Sequence, residues 1–318
     1  MQVKSFENPI ISSAHKSLGV GVGLRIPHYN HVIENNPQTI DWYEIISENY
    51  MGLSQGKLGG RPLAVAEEIR KSKPLVMHGV SLSIGSVDAL NKPYLLRLKE
   101  LAERLQPEWI SDHICWTGVE GENLHDLLPL PYTQECLNHL CSRIQQVQEI
   151  LGRPLVLENV SSYLTYKHSC MTEWDFLNSL CKASGCSLLL DLNNIYVSSV
   201  NHDFDAQLFL NSMDPQYIAQ FHLAGHSNKG THLVDTHDNH VCPEVWELYQ
   251  KALKRFGPIS TLVEWDDRIP EFQILEKEAQ LARGYLNQYL MENKNEHTNT
   301  FASSSVSRTP TLDEMGAH

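Results

Sequence analysis

The sequence contains no Cys-x-x-Cys pair. Its seven cysteines (Cys115, Cys136, Cys141, Cys170, Cys181, Cys186 and Cys242) are scattered and odd in number. A disulfide framework and a structural zinc ribbon are both disfavoured, and most of these thiols read as small buried apolar groups. No stretch approaches the ~20 apolar residues of a membrane span, and the opening MQVKSFENPIISSAHKS lacks the apolar core of a secretion signal. A soluble cytoplasmic protein is the expectation. Runs of Lys and Arg are also missing, so a nucleic-acid backbone is not an expected partner. The formal net charge of -13 suits solubility, and bound cations would offset part of any carboxylate cluster. Finally, no G-x-G-x-x-G turn follows a first strand. The two glycines of GVGLR lie inside a strand and are a weak signal for a dinucleotide site.

What remains is a globular composition in 318 residues, 42% hydrophobic and 20% charged, a length that suits one α/β barrel with insertions. Short β-branched runs alternate with longer amphipathic ones, the pattern of parallel βα units. The strands are read at Gly19–Ile26, Trp42–Asn49, Pro74–Leu82, Trp109–Cys115, Pro154–Ser162, Ser187–Tyr196, Ile218–His226 and Ser260–Asp266. Runs such as PLVM, PLVL, SLLL and STLV are apolar almost throughout, as in strands covered on both faces. KPYLLRLKELAERL, TQECLNHLCSRIQQVQEIL, PEVWELYQKALKRFG and EFQILEKEAQLARGYLNQYL carry apolar residues at helical spacing, with Pro or Thr near several starts and Gly near several ends. Eight such units predict a (β/α)8 TIM barrel over 19–292, after an N-terminal extension (1–18). The polar, aperiodic segment 293–318 reads as a disordered tail. A doubly wound open sheet is the alternative architecture.

The chemistry lies at the ends of the predicted strands. Glu48-Asn49 closes the second, His78 the third, Asp112-His113 the fourth and Glu158-Asn159 the fifth. Asp191, Asn193 and Asn194 follow on the sixth, His222 and His226 on the seventh, and Glu264 and Asp266 on the eighth. In a barrel all these ends share one face, where barrel active sites lie. One such residue alone is more often capped or ion-paired than functional. Carboxylates that recur at the same place in successive units repel one another, and bound cations are the simplest way to neutralise them. The loop THLVDTHDNH adds Asp235 and His237, spaced so that both side chains point the same way in an extended segment. His232 and His240 read as solvated loop residues. The set His78, His113, Glu158, Asp191, Asn193, His222, Asp235, His237 and Glu264 exceeds the coordination sphere of one ion, so at least two ions are expected, bridged by a carboxylate such as Glu158 or Asp191. Nitrogen and oxygen donors without thiolate suit non-haem iron, manganese or zinc.

The ordered motifs GVGLR, EIISENYMG, HGVSLSIGS, SDHICW, DLLPLPYT, ENVSSYL, GCSLLLDLNNIYVSSVNH, HLAGH, DTH and EWD resemble the DUF692 family. These are the multinuclear non-haem iron-dependent oxidative enzymes, and the likeness is greatest to the bufferin-modifying branch. It runs from about Gly19 to Tyr289. The resemblance implies two or three irons and O2-dependent modification of cysteines in a ribosomally made precursor peptide, which a separate partner protein usually presents. It implies His78, His113 and Glu158 on one iron and Glu158, Asp191, His222 and Glu264 on the next. A third iron would sit on Asn193, Asp235 and His237. Glu158, Asp191 and Asp266 are the expected catalytic carboxylates, and Glu48, Asn49, Asn159, Asn194 and His226 are expected around them or toward the substrate. A zinc phosphoesterase or sugar-isomerase barrel is the competing reading, because its ligand set looks similar.

Overall fold

The computed structural model describes residues 16–52 and 58–304, with side chains described through residue 294. Residues 1–15 of the expected N-terminal extension and 305–318 of the expected tail lie outside the described residues. Eight parallel strands close into a barrel in sequence order: β1 Val20–Gly23, β2 Trp42–Ile46, β3 Leu75–His78, β4 Ile110–His113, β5 Leu155–Glu158, β6 Ser187–Asp191, β7 Ile218–Leu223 and β8 Ser260–Val263. The closing pair sets Val20 beside Thr261 and Val22 beside Val263. Helices α1 Tyr29–Asn35, α2 Arg61–Arg70, α3 Lys92–Leu105, α4 Gln134–Leu151, α5 Glu173–Ser184, α6 Leu192–His202, α7 Ala206–Ser212, α8 Pro243–Phe256 and α9 Phe272–Ser304 connect the strands or follow the last of them. The expected (β/α)8 fold is therefore the observed one.

Strand periodicity explains how the interior is filled. Side chains two apart share a face, and one face of each strand looks into the barrel. Trp42, Val76, Trp109, Val156, Leu189, Ala219 and Leu262 form one buried apolar plug. Two residues further along β2, β3, β5, β6 and β8, the same inward face carries Glu44, His78, Glu158, Asp191 and Glu264. Apolar floor and polar mouth are successive layers of one pattern. The outward face, with Tyr43, Ile45, Leu75, Met77, Leu155, Leu157, Leu188 and Leu190, packs into the larger core under the helices.

The strands stop earlier than the apolar runs suggest. The sixth ends at Asp191 because its carboxylate caps a helix, Oδ1 accepting the Asn194 amide at 2.6 Å. Asn193 and Asn194 thus ride on the first turn of α6 rather than on a strand. The second strand turns at Ser47 into a 3-10 segment, Ser47–Tyr50, and α9 continues past the boundary expected at 293 as far as Ser304. An antiparallel hairpin of Trp116–Val119 with Glu122–Leu128 follows β4, an element the pattern of alternating runs does not reveal.

Gly21 shows how tightly the floor is packed. A Cβ there would lie 2.5 Å from Cδ2 and Cε2 of the Trp42 ring and 2.8 Å from the Trp42 carbonyl oxygen. Neither rigid ring nor backbone gives way cheaply. Gly21→Ala is expected to cost about 1–3 kcal/mol by overpacking, read as a lower urea midpoint at unchanged slope. An unchanged midpoint would mean that the plug can shift freely.

Candidate metal centre

At the C-terminal mouth the described His and carboxylate atoms converge in three overlapping groups: His78, His113 and Glu158; Glu158, Asp191, His222 and Glu264; His237, Glu264 and Asp266. In the first, His113 Nδ1 lies 3.1 Å from the Gly79 carbonyl. A carbonyl only accepts, so Nδ1 carries the proton and Nε2 presents a lone pair. His78 Nδ1 lies 2.8 Å from Ser111 Oγ, whose hydroxyl has the Met77 carbonyl to donate to at 3.4 Å. It is therefore oriented in the same sense. Both Nε2 atoms face one oxygen, Glu158 Oε2, at 3.2 and 3.3 Å.

Three lone-pair donors aimed at one another in a buried site need a cation or a proton between them. Two ligand atoms each about 2.1 Å from one ion and about 100° apart are about 3.2 Å from each other, so the spacing fits a metal ion. Burial, then each other's proximity and that of His222, pushes His78 well below the usual imidazole range. Burial likewise lowers His113 to about 4, against the pull of Glu264. Both rings are neutral and ready to coordinate near pH 7.

Glu158 joins the first group to the second. Its Oε2 faces His78 and His113, while Oε1 is 3.8 Å from His222 Nδ1. Asp191 divides its oxygens in the same way: Oδ1 caps α6, and Oδ2 is buried without a hydrogen-bond partner. Asn159 locks this segment, its amide donating to the Asp191 carbonyl at 3.1 Å while its Oδ1 accepts the Asp191 N–H at 2.9 Å. Asn194 reaches Glu158 Oε1 at 3.4 Å. Glu264 Oε2 then lies 2.9 Å from His222 Nδ1 and 3.2 Å from His237 Nδ1, linking the second group to the third.

The three residues expected at a third ion, Asn193, Asp235 and His237, lie side by side: Asn193 Nδ2 donates to Asp235 Oδ1 at 2.8 Å and its Oδ1 accepts from His226 Nδ1 at 2.8 Å. Asp235 in turn sits 2.6 Å from His237 Nε2. Asp235, backed by Asn193, thus meets His237 at Nε2, and Asp266 meets it on the other side, its Oδ2 3.5 Å from His237 Nδ1. Of the remaining expected residues, Glu48 Oε1 accepts from the Val80 amide at 3.0 Å and the Tyr94 hydroxyl at 2.8 Å, and Asn49 is exposed. His232 and His240 are exposed as well.

Three buried polar residues near the mouth escape sequence reasoning: Arg25, Glu44 and Gln220. Arg25 ion-pairs with Asp266 and lies 3.6 Å from Glu264. Glu44 is 3.2 Å from His222 Nε2 and accepts from Gln220 at 2.7 Å, and the Trp109 indole donates to Gln220 at 2.6 Å. A single Glu or Gln interrupting WYEII or IAQFHL was the available signal.

The mouth encloses a cavity of about 200 Å³ whose walls include Ile46, Val80, Leu127 and Val160 beside the His and carboxylate groups. Over residues 19–287 the chain matches the family model of the RiPP precursor modification enzymes MbnB/TglH/ChrH, which act on ribosomally made, post-translationally modified peptides. The chain belongs to this family. Its curated relatives carry the name UPF0276 protein. A UPF0276 protein of Anaeromyxobacter sp. is 51% identical over 83% of this chain and 92% of its own length, and one of Acaryochloris marina is 48% identical over 86% and 97%. Among solved structures, endonuclease IV from Thermus thermophilus superposes with TM-score 0.56 at 15% identity, covering 86% of this chain and 99% of that one. A D-tagatose 3-epimerase-like protein gives TM-score 0.55 at 18% identity, with coverage of 88% and 99%. At those identities the likeness is one of fold. None of the described helices is long and apolar enough to cross a membrane.

The electrostatics give a pH test. Burial, offset in part by His222, holds the Glu158 carboxyl well above the usual carboxylate range. Burial, offset in part by His237, pushes Asp191 up to about 7. Burial alone would lower His222 and His237, but Glu264 with Glu44 raises the first and Asp235 with Glu264 the second, both well above 6.5. All four bind more protons folded than unfolded, so their contribution to stability is lost as pH rises. His78 and His113, lowered, act in the opposite sense only below about 6.5. The melting temperature of the metal-free protein is therefore expected to fall between about pH 6.5 and 8. Metal-loaded protein should lack this fall, because cations replace the protons. A metal-free profile rising over that interval would contradict the charge assignment.

Proposed function

We propose that this protein is a multinuclear non-haem iron enzyme that uses O2 to modify cysteine residues of a ribosomally made precursor peptide. The observation that carries the reading is Glu158, whose two oxygens face two different ligand groups. A mononuclear site needs no such shared carboxylate. His78, His113 and Glu158 would hold one ion, and Glu158, Asp191, His222 and Glu264 the next. Asn193, Asp235 and His237 would hold a third where one is present, with Glu264 and Asp266 on the far side of the His237 ring. Iron so bound supplies an open position for a thiolate and the electrons for O2.

The chain's own residues do the rest. Ser111 and Gly79 fix the ring orientation of His78 and His113, and Asn159 and Asn194 hold Asp191 and Glu158 in place. Outer partners of this kind raise ligand basicity and typically matter 10–100-fold in affinity or activity. The apolar collar of Ile46, Val80, Leu127 and Val160 excludes water around a small side chain. The precursor peptide arrives with a presenting partner protein on this reading, as the family resemblance implies.

The test is co-expression with a cysteine-containing precursor under iron supplementation. A mass change that requires O2 and disappears when the peptide's cysteine is replaced by serine is the expected result. Stoichiometric zinc, zinc-dependent hydrolysis or epimerisation and no O2 consumption would favour the competing reading.

A further inference from the structure

Away from the mouth, the fold brings two free cysteines together. Helix α5 stops at Gly185, which is left-handed (φ 74°) and donates its N–H to the Cys181 carbonyl at 2.9 Å. A stop of this form sets the residue after the left-handed one against the residue whose carbonyl is capped, usually as an apolar contact. Helices α3 and α4 stop in the same way, and the corresponding positions are Ala102 with Pro107 and Gln148 with Arg153. In α5 they are Cys181 and Cys186. The two sulfurs are hydrogen-bonded at 3.8 Å, and each residue is 1% exposed.

The two thiols are not equivalent. Burial raises Cys181 well above the usual thiol range, whereas Cys186 is lowered because the Cys181 S–H donates to it. The thiolate is the form that attacks an oxidant, and a neighbouring thiol resolves the sulfenic acid that results. Sulfurs already in contact need only side-chain rotation to reach the bonding distance of about 2.05 Å. The next thiol is Cys141, half-buried on α4 and pushed up to about 11, by burial first and then by Cys186. It stays protonated and competes poorly. Helix ends open locally at little cost, which admits a small oxidant.

We propose that Cys181 and Cys186 form an oxidative cross-linking site that closes to a disulfide under hydrogen peroxide, clamping the end of α5 to the start of β6. The Cys186 thiolate attacks one peroxide oxygen, the O–O bond breaks, and Cys186 becomes a sulfenic acid. The Cys181 sulfur then attacks the Cys186 sulfur. The S–S bond forms, the S–O bond breaks and water leaves. Two thiols lose two electrons and two protons, and one peroxide becomes two waters. The site lies at the opposite end of β6 from Asp191, so it does not depend on the metal reading of the mouth.

The experiment exposes the folded full chain to hydrogen peroxide in a buffer containing chelator, then unfolds it in maleimide and maps its tryptic peptides by mass. Trypsin cuts after Lys182, so Cys181 and Cys186 fall on separate peptides. The expected product is those two peptides joined, two hydrogens lighter than their sum, and separated again by dithiothreitol. Fragmentation should place the link at Cys181 rather than Cys170, which shares its peptide. Cys181→Ala should abolish the link and leave a sulfenic acid on Cys186 that dimedone captures. Cys186→Ala should abolish the link without comparable capture at Cys181. Maleimide on both Cys181 and Cys186 in peroxide-treated wild type would overturn the proposal, as would Cys186 joined to Cys141 instead. Equal dimedone capture in the two variants would overturn the assigned order of attack.

Discussion

Glu158→Gln is expected to abolish peptide modification, lowering activity by more than about 100-fold, and to remove at least one iron while the barrel stays folded. The amide keeps the shape but loses the charge and one strong ligand oxygen, and Glu158 is the only residue common to the first and second groups. Its effect on the metal-free protein should be mild or even stabilising. Burial holds this carboxyl well above the usual range, so the fold bears a cost for it whenever it is charged, and a neutral amide relieves that cost. If Glu158 served only as an ordinary buried ion-pair partner, the same change would destabilise by about 3–5 kcal/mol and leave iron untouched. Iron content, melting temperature with and without metal, and the mass of a co-expressed precursor separate these outcomes. Full iron loading with an unchanged mass shift would contradict the bridging role.

Glu264→Gln should act on the metal-free protein in the opposite sense. Despite burial, the protonated rings of His222 and His237 hold Glu264 well below the usual carboxylate range. A carboxylate with a depressed pKa contributes stability above its unfolded value and so does so at pH 7. Removing its charge strands His222 and His237 beside one anion fewer and leaves Arg25 with Asp266 alone. Breaking such a buried arrangement costs about 3–5 kcal/mol, on the order of 10 °C in melting temperature for a domain of this size. Iron should also drop, because the second group loses a ligand. Calorimetry of the metal-free variants at pH 7 checks the contrast. Equal destabilisation by Glu158→Gln and Glu264→Gln would show that the two carboxylates are not differently charged.

Much of this site is legible in the sequence because barrel topology does the assembling. Residues such as His78, Glu158 and Asp191 are far apart in the chain but end inward-facing runs of the same layer, so their recurrence at strand ends is itself a spatial statement. The sharing of ligands is less legible. Asp191 caps α6, which sets Asn193 on its first turn against Asp235 and His226, while Asp266 approaches the other ring nitrogen of His237. That event depends on one hydrogen bond, not on hydrophobic period. Arg25, Glu44 and Gln220 stayed hidden for another reason. A charged or amide side chain on a buried strand face takes its meaning from what lies across the barrel, and the partners of Arg25 are on β8's far end, at the opposite limit of the chain. The role of Gly21 is likewise set by Trp42, which a window along β1 does not relate to it.

On the proposed reading, the Glu158 carboxylate ties together more than one iron at the barrel mouth. Crystals of anaerobically iron-loaded protein, with diffraction recorded on either side of the iron absorption edge, test it most directly. The expected anomalous map has at least two iron peaks, one between His78, His113 and Glu158 and one between Glu158, Asp191, His222 and Glu264, with the Glu158 carboxylate between them. A single peak in fully loaded crystals, or peaks that do not flank Glu158, would contradict the account.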